Sequence, residues 1–149
     1  MRNARKSERG ASLAETAIVM AVVLALVFAI MDFGRAMYTY AFVAQLAREG
    51  ARWAIVRGVQ CTQLDHCNAA QTDIQAYVQT LSEGATNPNS ITASATWPAC
   101  PAGLSGKQPG CVVSVTVTYP FEFLAIKFIP GMQNPLMTMS STSQMVISQ

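Results

Sequence analysis

The feature that most constrains this chain is an uninterrupted apolar run, Ala17 to Met31, entered through Gly10-Ala11-Ser12-Leu13-Ala14-Glu15. Counted from Ala11 to Met31 it is about 20 residues, the length a helix needs to span a bilayer. Glu15 is out of place in such a segment. A carboxylate near mid-membrane costs roughly 2.5–3.5 kcal/mol on insertion scales, so an acid there ordinarily has a partner and a job. Ahead of the run stands a basic leader, Arg2, Arg5, Lys6 and Arg9, ending at Gly10.

The distribution of charge says more than the net +2. The leader holds four basic residues against Glu8, whereas six basic and seven acidic residues follow Gly10. The positive-inside rule therefore puts the N-terminus in the cytoplasm and the C-terminal part across the membrane. Cysteine usage agrees. Cys61, Cys67, Cys100 and Cys111 all follow the span, and an even number on the oxidising side reads as disulfides. Four cysteines allow three pairings. Cys61–Cys67 with Cys100–Cys111 is favoured because each pair closes a short turn-rich loop, constraining the unfolded chain by about 2–3 kcal/mol. No basic, aromatic-rich patch is present, so nucleic-acid binding is not indicated.

The leader glycine, a small residue after it, an acid five positions past it and the apolar run together resemble a type IV prepilin. Asp32-Phe33-Gly34-Arg35 at the end of the span, then a long helix and a small β-rich tail, narrow the resemblance to the TadE-like minor pilins or pseudopilins of the tight-adherence (Flp) pilus. The resemblance implies cleavage between Gly10 and Ala11 by a prepilin peptidase, methylation, and an assembly role for Glu15 in docking subunits. It also implies partners: an inner-membrane platform protein, other major and minor pilins, and membrane lipid. Ala11 departs from the aromatic first residue of classical pilins. Two plainer readings compete. Glu15 could snorkel from the end of an ordinary single-pass anchor. A cleaved secretory signal fits the basic start, but the run exceeds the usual 7–15-residue core of such signals.

Beyond the span, Phe33, Met37, Tyr40, Ala44, Ala47, Ala51 and Ala54 recur at steps of four and three, one stripe of a helix. Its alanines would let another backbone approach. Glu49 and Arg52 are spaced to pair, and Arg57 and Gly58 suit the helix end. One helix from Ala11 to Arg57 would be about 70 Å long. A second helix is expected from an Asn68 N-cap, with Gln71 completing a capping box. Its apolar face would be Ala70, Ile74, Tyr77, Val78 and Leu81, and Gly84 would end it.

Strands follow. Ile91, Ala93, Ala95 and Trp97 alternate with polar residues until Pro98, and Val113, Val115, Val117 and Tyr119 alternate until Pro120. Phe121 to Ile129 fits a buried connector or a short helix, and Pro130-Gly131 a turn. Leu136 to Ile147 reads as a final strand with Met137, Met139, Met145 and Ile147 on one face. The fold class is α+β: a transmembrane helix extended into a stalk, then an amphipathic helix on a small antiparallel sheet. The divisions are a leader over 1–10, a span over 11–31, a helical stalk over 32–57 and an α+β domain over 58–149.

No catalytic constellation emerges. Asp32-Phe33-Gly34 spells a kinase triplet without the remaining kinase motifs. Gly106-Lys107 lacks the Ser or Thr and the first glycine of a phosphate loop. His66 with Cys61, Asp65 and Cys67 fits no familiar zinc spacing, and oxidised cysteines cannot ligate. No Gly-x-Ser-x-Gly nucleophile elbow is present. The expectation is a non-enzymatic subunit with no metal and no cofactor, resident in a bacterial inner membrane and passing into the pilus. The alternative is a single-pass membrane-anchored periplasmic binding or sensing module with an uncleaved N-terminus.

Overall fold

A computed structural model describes residues 4–85, 87–104, 106–124 and 136–148. Its first element, α1, is one helix over Ala4–Ile55. The helix begins inside the basic leader rather than at Ala11, so Gly10 lies within a helical turn and not at a boundary. Its three interior glycines, Gly10, Gly34 and Gly50, each costing about 1 kcal/mol against alanine, do not break it. Gly34 and Gly50 differ in surroundings. A Cβ on Gly34 would meet nothing within 4 Å, whereas one on Gly50 would stand 3.0 Å from Val78 Cγ2 and 3.2 Å from Val115 Cγ1. Gly50 is therefore a point of close approach, and Gly34 is not. The helix stops two residues short of Arg57, whose guanidinium reaches back to the Trp53 carbonyl (3.3 Å) and across to that of Asp65 (2.9 Å). A cation near the last turn suits the negative end of the helix dipole.

The chain divides into two units, one built from Met1–Ala36 and Phe123–Pro135, the other from Met37–Glu122 and Leu136–Gln149. In the second unit, three strands form an antiparallel sheet in the order β1-β2-β3: β1 over Thr92–Ala99, β2 over Val112–Glu122 and β3 over Leu136–Val146. One sheet face carries Ala93, Ala95, Val113, Val115 and Val117, all buried. Against it pack α2, over Gln71–Leu81 with Ile74 and Val78 buried, and the later part of α1 through Val43, Leu46, Ala47, Ala51 and Ala54. Each fully buried Val or Ile is worth about 1.5–3 kcal/mol, and the β-branched residues sit where a pleated surface favours them. The opposite face is polar, and Thr116 and Thr142, directly paired in register, share a hydroxyl hydrogen bond of 2.8 Å. This is the expected α+β class.

Several local expectations change. The expected stripe lies on α1, and its two ends differ: Ala47, Ala51 and Ala54 are buried, whereas Phe33, Met37 and Tyr40 are exposed. Asn68 is not the N-cap of α2. It takes a left-handed conformation (φ 56°), Ala70 holds the cap position, and Asp73 rather than Gln71 accepts from the Ala70 N–H at 2.8 Å. Neither proline ends its strand. Pro98 lies within β1 at an irregularity of register, between Thr96 and Ala99. Pro120 lies within β2 beyond the last β1 pair, Thr92–Thr118, where only β3 flanks the strand. A missing N–H is tolerated at such edge positions. Phe121 and Glu122 complete β2, and Phe123 and Leu124 follow it, while residues 125–129 of the expected connector and the Pro130-Gly131 turn lie outside the described residues.

Both cysteine pairs are joined, Cys61 to Cys67 and Cys100 to Cys111, with Cα–Cα distances of 5.2 and 4.1 Å. Cys111 is fully buried at the foot of β2. Beside it the Gly110 N–H donates to the Ile147 carbonyl, and the Ile147 N–H to that of Cys111. Gly110 takes φ 90° there, a conformation that strains any other residue.

Candidate functional site

The candidate site is the surface of α1 from Gly10 to Arg35. Between Leu13 and Met31 the large apolar side chains are exposed all round the helix, Leu13 by 72%, Ile18 by 67% and Ile30 by 63%. The helix is long and apolar enough to cross a membrane, and none of its most apolar window is buried within the protein. A helix apolar on every side needs an apolar surround. Its few polar groups are managed locally. The Thr16 hydroxyl donates to the Ser12 carbonyl at 2.9 Å and is satisfied within the helix.

Glu15 is exposed on this surface, with Ile18 and Val19 one turn on, also exposed. Helical rise puts it about 26 Å along the axis from Asp32, close to the roughly 30 Å of a hydrocarbon core. In a hydrocarbon core entered at Asp32, Glu15 would stand near the opposite edge rather than at the centre, where a carboxylate costs most. Gly10 and Ala11 occupy the preceding turns of the same helix.

Asp32 is the residue sequence reasoning undervalued. It is 6% exposed, and its Oδ1 accepts from Arg35 Nη1 at 3.0 Å and from the Leu124 N–H at 3.2 Å. An acid closing an apolar run, with arginine three residues on, was the available signal. Its backbone partner lies 92 residues away in sequence.

Three of the four residues weighed for zinc are otherwise engaged. Cys61 and Cys67 are bonded to each other, and His66 Nδ1 stands 3.4 Å from Asp73 Oδ1. Trp53 stacks on Tyr77 with ring centroids 5.1 Å apart, and the Arg57 guanidinium lies 4.1 Å from the Trp53 ring. Among the described residues no group of three or more His, Cys, Asp or Glu could hold a metal ion.

Residues 10–52 match the model of the family described as TadE-like protein. The match opens on Gly10, takes in Glu15, Asp32, Arg35 and Gly50, and includes none of the sheet. The family is structural and associated with the Tad pilus. No curated protein and no solved structure matches the chain.

Proposed function

We propose that this TadE-like, pilus-associated chain is a pilin-like subunit, a minor pilin or pseudopilin, which a prepilin peptidase trims between Gly10 and Ala11. The observation that carries the reading is Glu15, exposed and the one ionisable residue from Leu13 to Met31, within a family match that starts at Gly10. Before assembly the subunit waits in the inner membrane, N-terminus inside and C-terminus outside, in keeping with the basic leader. Platform protein and other pilins are its partners in building a Tad/Flp pilus for adhesion.

Cleavage exposes the α-amine of Ala11, largely protonated near neutral pH at its reference pKa of about 7.7–8.0. A carboxylate in an apolar surround is costly alone and less so when paired. The amine of a trimmed neighbour is a partner for Glu15 that exists only after processing, which ties docking to cutting. Gly10 serves the cut in two ways: it offers the peptidase a backbone without a side chain, and it weakens the helix that must open at the scissile bond.

One observation favours the second reading, an anchored module with a permanent leader: α1 runs through Gly10 without a break. Intact mass of the protein purified from membranes separates the two. Loss of residues Met1 to Gly10, abolished by Gly10→Val, supports the pilin-like subunit. An intact N-terminus in a host carrying the peptidase overturns it. Glu15→Ala should be trimmed and inserted as usual yet fail to enter the pilus, and normal assembly of that variant would remove the docking role.

A further inference from the structure

We propose that the outer edge of β3 pairs antiparallel with β3 of a second copy of this chain, about a two-fold axis at Ser141. The sheet treats its two edges differently. On β1 the Ala93 N–H turns away from β2 and is taken by Gln75 Oε1 of α2 at 3.1 Å, and Pro98, beside an irregularity of register, supplies no donor. Backbone groups alternate in direction along a strand. An outward Ala93 therefore leaves Thr92, Ser94 and Thr96 bonded to β2, and Val113, Val115 and Val117 bonded to Met145, Ser143 and Ser141 of β3. The Ile147 N–H, which donates to the Cys111 carbonyl, keeps the same phase. Thr138, Ser140, Thr142 and Gln144 thus turn their N–H and C=O groups to the outer edge, where among the described residues no backbone partner meets them. An edge strand is ordinarily kept to itself by charge, proline or a bulge. Across Leu136–Val146 there is none of these, and no glycine.

The occupant follows from the strand's own order. Reversed about Ser141, β3 sets Ser140 against Thr142, Thr138 against Gln144 and Met137 against Met145. Hydroxyls and an amide meet on the outer face with no like charges opposed. On the inner face Met137, 52% exposed, gains a methionine neighbour. The axis also reverses α1. Gly50 lies against Val115, the partner of Ser143, and the Ile55 carbonyl accepts from the Ser148 N–H, so α1 and β3 run the same way there. Copies inserted alike in one bilayer carry α1 in one direction. The paired copies therefore face each other from two surfaces, a consequence that rests on reading α1 as a span.

The test uses the full chain, first in detergent micelles. The native cysteines are all bonded, so Ser141→Cys adds the only free thiol. Opposed at the axis, two such residues lie roughly 4.5 Å apart at Cα and should form a covalent dimer on mild oxidation. Thr138→Cys alone should stay monomeric but join Gln144→Cys when the two are mixed. Adding Ser140→Pro to Ser141→Cys should cut the dimer about tenfold with near-ultraviolet circular dichroism unchanged, because it removes an outward donor and spares the β2 ladder. Ser140→Ala, which keeps the N–H, should leave the dimer as it was. No dimer, or a dimer that Ser140→Pro spares, overturns the pairing, and a Thr138→Cys homodimer overturns the antiparallel register. In phosphatidylcholine vesicles, oxidised Ser141→Cys should tether two vesicle populations, and Ser140→Pro should prevent it. A dimer without tethering overturns the facing arrangement, whereas protein that does not sediment with the vesicles overturns the span on which that arrangement rests.

Discussion

The two halves of α1 share one backbone and differ in everything attached to it. From Leu13 to Met31 the apolar side chains point in every direction and stay exposed, whereas from Val43 to Ala54 they keep to one face and vanish into a core. Periodicity is what separates the two. An apolar surround on all sides asks only for apolar residues, and order among them carries no information. A surround that is protein on one side and water on the other asks for the 3.6-residue repeat. The glycines show the same divide, Gly34 facing open space and Gly50 pressed against Val78 and Val115.

The sharpest way to break this comparison is to load the two glycines alike. Gly50→Leu should cost about 3 kcal/mol, because its Cβ alone would overpack against two valines. Gly34→Leu should leave the second unit's stability unchanged. Urea titration in mild detergent, followed by near-ultraviolet circular dichroism, checks both. Equal losses at the two sites would deny that the halves meet different surroundings.

Next in size are the disulfides, both beyond α1 in sequence. Replacing Cys100 and Cys111 together by alanine should lower stability by about 2–3 kcal/mol for a loop of this length. The same titration with and without reductant measures it, and the doubly substituted protein should no longer respond to reductant at that pair. Thiol labelling of denatured, non-reduced protein should find all four cysteines blocked.

A smaller effect of opposite sign is expected at Gly34→Ala. The substitution should stabilise α1 by up to about 1 kcal/mol, because alanine surrenders less backbone freedom and the site has room for a methyl group. Helical signal against temperature reads it. Smallest of all is Arg52→Ala, which removes the 3.1 Å pair with Glu49 on the exposed face. About 0.2–0.5 kcal/mol is expected, and high salt should erase the difference from the parent protein.

Legibility followed the range of the interactions. The apolar run and the alternation of Val113, Val115 and Val117 are local patterns, and both the helix and the central strand could be read from them. The short loops likewise favoured the cysteine pairing that the structure contains. The α1 stripe from Phe33 to Ala54 does lie on one helix, but spacing defines a face without saying what covers it, and Phe33, Met37 and Tyr40 stay exposed. Pro98 and Pro120 looked like breaks because a sequence does not show where a neighbouring strand ends. Asn68 has good capping chemistry, but its left-handed backbone serves the turn after Cys67 instead. The Asp32 contact depends on a backbone donor at the far end of β2, and no window along the sequence joins the two. Glu15 was legible for the opposite reason, since an acid in an apolar run stands out without any partner in view.

The outer face of the sheet has a consequence of its own. Thr92 and Ser94 on β1, Thr118 and Thr116 on β2, and Ser140 and Thr142 on β3 lie side by side in register. They present hydroxyls, and those six side chains carry no ionisable group. Hydroxyls donate and accept alike and do not titrate between acid and mild alkali, and without formal charge there is little for dissolved ions to screen. This patch of the protein keeps one hydration shell across fresh water, brine and acidified medium, a surface whose wetting is indifferent to the electrolyte around it.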